Sequence, residues 1–235
     1  MLERYPFTRA LSAEERTLLR ERVILFLHEK SIVGAGGLVV RDGMRMSIAA
    51  QACMLILNLD LEYYRGWVEV IVYPDEFVAE YDYVDEDGIA HHVEAPMTGE
   101  SWLEGPVILS WADAELRGED PGYNVVIHEF AHKLDMLNGD ANGFPPLHPG
   151  MDREAWPRAF GAAYDDFRGR VARGDPSAID PYAAEHPAEF FAVLSEAFFE
   201  TPAAVRAEYR DVYRQLAAFY RQDPAARQER QGGQS

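Results

Sequence analysis

Residues 125–135 read VVIHEFAHKLD, which sets His128 and His132 four positions apart with Glu129 behind the first. On an α-helix, positions i and i+4 lie one turn apart on a single face, so two imidazoles there can reach one cation. Local signals favour that helix. Asn124 is a good N-cap, Gly139 can end the helix in a left-handed conformation, and Ile127, Phe130, Ala131, Leu134 and Leu137 form an apolar side. A single histidine near such a face is ordinarily a hydrogen-bonded core residue. The HExxH spacing instead reads as a zinc clamp, with Glu129 beside the metal as general base rather than as a ligand.

A catalytic zinc site takes three protein ligands and keeps one position open. The extended pattern HExxHxxGxxH is absent, because Asp135 and Asn138 stand where its glycine and third histidine belong. The third ligand therefore comes from elsewhere. The segment PAEFFAVLSEAFFE (187–200) carries Glu189 and Glu196 seven positions apart on one face of an otherwise greasy helix. A buried acid needs a partner, and both qualify; spacing does not choose between them. Asp135 lies on the face of the two histidines, either bonded to a ligand imidazole or engaged in a cap or salt bridge.

The whole chain sets the frame. Its 235 residues are 48% hydrophobic, enough for one large core or for two modest lobes closed around a cleft. A net charge of −18 repels phosphate backbones and anionic membranes, so neither nucleic acid nor a membrane is an expected partner. The single cysteine, Cys53, lies in the apolar run SIAAQACMLILNL and reads as a buried hydrophobe. That run is too short to span a bilayer, and MLERYPFTRALSAEER shows no export signal, so the cytoplasm is the expected location.

Patterning predicts an α+β unit with strands mostly in the first half and helices mostly in the second. Ser12 and Glu15 form a capping box for a first helix, a glycine-rich turn covers 35–45, and an apolar helix runs from Met46 to Leu59. WVEVIVYP is a strand, and residues 80–95 form a hairpin turning at Asp87 and Gly88. Within it, DEDG lacks the ligands of a calcium loop, and the adjacent His91 and His92 make a poor chelate. Pro106 marks Val107–Trp111 as an edge strand, able to receive an extended substrate. Helices are expected over Asn124–Asn138, Trp156–Arg173, Pro187–Glu200 and Pro202–Tyr220, and a frayed polar tail over 222–235.

HEFAHKLD, IDPYAAEHPAEFFAVLSEAFFE, MSIAAQACMLILNL and GPVILSWADAE together closely resemble the Mlc titration factor A family of bacterial zinc metallopeptidases. The likeness runs from Pro6 to Arg227, and the catalytic core is similar to the zinc protease domain of anthrax lethal factor. The resemblance implies a single zincin-like unit over 1–221, with a small mixed sheet whose edge strand lies over the active-site helix. It makes His128, His132 and Glu189 the ligands of one zinc ion, Glu129 the general base, and Tyr182 the hydroxyl that stabilises the oxyanion. It implies a peptide or protein substrate and aminopeptidase-like activity. The alternative it carries is a regulatory protein that sequesters a transcriptional repressor.

Overall fold

The computed structural model describes residues 5–84, 90–97, 99–101, 105–115 and 122–232. A short α1 (Pro6–Arg9) leads into α2 (Ala13–Glu29), β1 (Ser31–Gly34) and α3 (Asp42–Leu55). Next come β2 (Glu69–Tyr73), β3 (Phe77–Val84), β4 (Ala90–Met97), β5 (Gly99–Ser101), β6 (Val107–Ser110) and α4 (Trp111–Glu115). Helices make up the rest: α5 (Val125–Asp135), α6 (Ala155–Arg173), α7 (Pro187–Glu200), α8 (Pro202–Glu208), α9 (Arg210–Tyr220) and α10 (Pro224–Gly232). This is the α+β arrangement that the patterning predicts.

The expected capping box is present. Ser12 Oγ accepts from the Glu15 N–H at 3.1 Å, and Glu15 accepts from the Ser12 N–H at 2.9 Å. β3 and β4 form the antiparallel hairpin, pairing Tyr83 with His91. Its Asp87–Gly88 turn, and with it DEDG, lies outside the described residues.

The sheet runs β1-β2-β6-β5, parallel across its first three strands and antiparallel at the last pair. It is therefore mixed, but β6 is not its edge: Val107 pairs with Val70 on one side and Ser101 on the other. Pro106 lies just outside the ladder, so its missing N–H is not needed for pairing. The edge that lies against α5 is β5. The strand also stops at Ser110, and Trp111 opens α4.

Other boundaries differ for local reasons. α3 begins at Asp42, ahead of Met46, with that acid in its first turn, where the helix dipole favours negative charge. β1 has only four residues, too few for a periodic signal, and is held by pairing with β2. The expected Pro202–Tyr220 helix breaks at Tyr209, which leaves helical geometry at φ −132 and ψ 69. Its hydroxyl bonds to Asp166 at 2.8 Å.

Where a frayed tail is expected, residues 224–232 form α10. Gln222 donates to the Met54 carbonyl at 2.7 Å, and the buried Arg227 guanidinium meets Glu15 at 2.6 Å. Polar residues anchor this helix through distant partners, which a polar composition does not reveal.

α5 and α7 pack together in the middle of the core. From α5, Phe130 packs against Phe26, Tyr64 and Trp67, with ring centroids 5.2–5.7 Å away. From α7, Phe191 meets Trp156 and Phe160, while Phe198 meets Tyr213 and Tyr220. Side chains between two such helices have little freedom to wander.

The loop that leads from α5 toward α6 packs against both the end of α5 and the start of α7. Asp135, fully buried at the end of α5, accepts from the N–H groups of Asn142 and Gly143 at 2.8 and 2.6 Å. This carboxylate thus anchors the loop. Gly143 has φ +79, and a Cβ there would run into the Pro187 carbonyl at the start of α7. Gly143→Ala is accordingly expected to destabilise the fold by roughly 2–4 kcal/mol, combining backbone strain with the clash. Urea unfolding checks this; a wild-type midpoint for the variant contradicts it.

Candidate metal centre

Asn124 caps α5, its Oδ1 accepting from the Ile127 N–H at 3.0 Å, and thereby starts the helix that presents His128, Glu129 and His132. α7 starts at Pro187, whose fixed φ suits a first helical position, and Glu189 falls in its first turn. The two helix faces bring three groups together. His128 Nε2 lies 3.0 Å from Glu189 Oε2 and 3.1 Å from His132 Nε2, and His132 Nε2 lies 3.4 Å from the same carboxylate. Among the described residues, this is the group of three whose ligand atoms, all within 4.8 Å of one another, could hold a metal ion.

The chemistry of the donor set fits a cation. His128 Nδ1 lies 2.7 Å from Glu196 Oε1, and a carboxylate can only accept, so Nδ1 carries the hydrogen. In neutral His128, Nε2 then presents a lone pair toward a carboxylate oxygen and a second imidazole nitrogen. Three electron-rich atoms facing one point need a positive charge between them. Burial pulls the His128 pKa down, but the bonds to Glu189 and Glu196 and the nearby Glu129 carry it well above the usual value.

Glu196 therefore sits on the opposite side of the His128 ring from Glu189. Its other oxygen accepts the Asn124 N–H. Burial raises its pKa, opposed by His128 and Asn124.

Glu129 is nearly buried and lies against the edge strand. A Cβ at Gly99 would sit 2.5 Å from Glu129 Oε1, so only glycine lets β5 pass this close. Tyr182 belongs to a single 3-10 turn capped by Asp180, whose carboxylate accepts the Tyr182 N–H at 2.8 Å. Its ring, 45% exposed, stands 6.1 Å from the His128 ring. His128, Glu129 and Tyr182 line a cavity of about 360 Å³ together with Tyr123, Asp180 and Val193. A larger cleft of about 680 Å³ between α6 and α9 contains none of the grouped residues, so size alone would mislead.

Behind the site, Glu200 accepts from the Asn124 carboxamide at 2.8 Å. Burial, partly offset by that bond and reinforced by Glu196, raises its pKa from 4.5 to about 7. A carboxylate with a raised folded-state pKa holds its proton in the folded chain after the unfolded chain has released it. Stability is therefore lost as pH rises from 4.5 to about 7. Glu200→Gln should unfold like wild type near pH 4.5 and gain on the order of 1–3 kcal/mol at pH 8. Urea unfolding at both pH values is the check, and equal differences contradict it.

The profile of the glucose-regulated metallo-peptidase M90 family matches residues 1–221. The chain belongs to this family. Among curated relatives, Mlc titration factor A of Klebsiella pneumoniae is 36% identical over 229 residues, covering 97% of this chain and 86% of that protein. The Yersinia enterocolitica protein of the same name is 36% identical over 228 residues, covering 96% and 85% respectively. The Salmonella typhi one is 37% identical over 219 residues, covering 92% and 83%. The resemblance read from the motifs is thereby borne out, and M90 membership implies a metallopeptidase with a catalytic metal. No helix among the described residues is long and apolar enough to cross a membrane.

Gln51, Glu200 and Gly99 are among the neighbours of the candidate site that the sequence does not anticipate. A signal did exist for Glu200, because it stands one turn beyond Glu196 on the same greasy helix and so equally needs a partner. Gln51 interrupts an apolar run, a weaker hint of the same kind. Nothing local marks Gly99, whose need for a bare backbone comes from a strand crossing a distant helix.

Proposed function

We propose that this protein is a cytoplasmic zinc-dependent peptidase that hydrolyses peptide bonds, with a preference for substrates carrying a free amino terminus. The observation that carries the reading is the convergence of His128, His132 and Glu189 on one point beside a cavity that also takes in Glu129. Two imidazoles and a carboxylate form a ligand set suited to zinc, which when bound supplies Lewis acidity toward water and toward a peptide carbonyl.

The chain's own groups do the rest. Glu129, held against β5, accepts the proton of the attacking water and returns it to the leaving amine. The Tyr182 hydroxyl donates a hydrogen bond to the carbonyl oxygen as negative charge develops there. Glu196 keeps the His128 proton on Nδ1, which leaves Nε2 free to act as a ligand. The cavity walls carry the carboxylates of Glu129, Asp180 and Glu196 and, among the described lining residues, no lysine or arginine. That charge suits a protonated substrate amine, which supports the aminopeptidase-like reading.

A second reading rests on the relatives' name. Mlc titration factor A suggests a protein that binds the repressor Mlc, and a repressor of that type is the protein partner we propose for this chain. A peptide pair separates the substrate preferences. Hydrolysis of short peptides should fall when the amino terminus is acetylated; equal cleavage of both forms contradicts the aminopeptidase assignment.

A further inference from the structure

We infer that Asn124 is a positioning residue of the metal centre, its carboxamide clamped between Gln51 and Glu200 so that Glu196 holds the His128 imidazole in place. The inference rests on the metal-centre reading above.

An N-cap needs only one side-chain bond, from its oxygen to the first turn. Asn124 makes that bond with Oδ1 and spends its amide group elsewhere. Nδ2 donates to Gln51 Oε1 at 2.9 Å and to Glu200 Oε1 at 2.8 Å. Those bonds tie the start of α5 to α3 on one side and to α7 on the other. The backbone is engaged as well: the carbonyl accepts from the His128 N–H at 2.9 Å, and the N–H donates to Glu196 Oε2.

Glu196 bridges from there to the imidazole. One oxygen takes the Asn124 N–H and the other takes the His128 Nδ1–H at 2.7 Å. A shift of residue 124 therefore moves the carboxylate that sets the ring, and with it the Nε2 lone pair aimed at the metal position. Gln51 has its own anchors. Its Nε2 donates to the Tyr5 hydroxyl and to the Ser47 carbonyl, both at 3.3 Å, which leaves Oε1 as the atom facing Asn124. The network is buried: Asn124, Gln51 and Glu196 are 9%, 2% and 2% exposed. Removing one donor in such a place leaves acceptors facing one another without a hydrogen.

Asn124→Asp separates positioning from capping. Aspartate caps a helix as well as asparagine does, so a capping role alone predicts unchanged metal binding. The carboxylate cannot donate to Gln51 or Glu200, however, and it adds a third negative group next to Glu196 and Glu200. Zinc affinity, read by competition with a chelating indicator at pH 8, is expected to fall by about 10- to 100-fold. Asn124→Asp combined with Glu200→Gln restores a donor across the same gap, and most of the loss should be recovered. Wild-type affinity in the single variant overturns the inference, as does a double variant no better than the single. If the aspartate variant shows no cooperative unfolding transition, Gln51→Leu carries the test: it spares the cap, and several-fold weaker zinc binding supports the clamp while unchanged affinity overturns it. Wild-type protein that takes up no zinc overturns the metal-centre reading and the inference with it.

Discussion

Glu189→Gln is expected to abolish tight zinc binding, a larger loss than the roughly 10- to 100-fold expected of Glu196→Gln. Glu189 offers one oxygen within 3.4 Å of both imidazole Nε2 atoms, whereas Glu196 touches His128 through Nδ1 on the far side of the ring. Burial works against an ionised Glu189, but its bonds to His128 and His132 hold its pKa well below the usual carboxylate range. Its carboxylate is thus the one placed between the two imidazole Nε2 atoms. His128→Ala and His132→Ala should lose the metal as fully, because each removes one of three converging lone pairs. A chelator competition on the four variants checks the ranking. Zinc retained by Glu189→Gln and lost by Glu196→Gln would reverse the ligand assignment and the role given to Tyr182.

Glu129→Gln is expected to keep zinc while hydrolysis falls by at least ~100-fold, the loss of general-base catalysis. The side chain is nearly isosteric, so the packing of Glu129 against Gly99 should survive the change. Glu129 lines the cavity but does not belong to the group of three converging ligand atoms. Retained metal with lost turnover is therefore the signature of a base. Unchanged hydrolysis in this variant would move the proton transfer to another group, and loss of zinc would make Glu129 a ligand.

Much of this centre was legible in the sequence because its main features are local. His128, Glu129 and His132 sit within a turn and a half of one helix, and caps and periodicity predict that helix. By spacing alone Glu189 was legible as one of two acids, since positions seven apart share a face, and it was the family resemblance that singled it out. The spatial difference between them lies in which side of the His128 ring each reaches, and helix periodicity contains no such information. The Asn124 clamp joins residues 73 and 76 positions apart, so only the tertiary packing of α3, α5 and α7 brings it together. Pro106 misdirected the sheet order for a comparable reason: a proline just before a strand looks the same at an edge and in the interior. Which strand borders α5 was decided by pairing with β5, three residues long and too short to read.

The most direct test of the central claim is zinc content measured alongside peptide hydrolysis, before and after chelation. Purified protein should contain about one zinc per chain, lose both metal and hydrolysis on chelation, and recover both when zinc is returned. Protein that stays metal-free and equally stable in excess zinc, or that hydrolyses peptides equally well without metal, would contradict it.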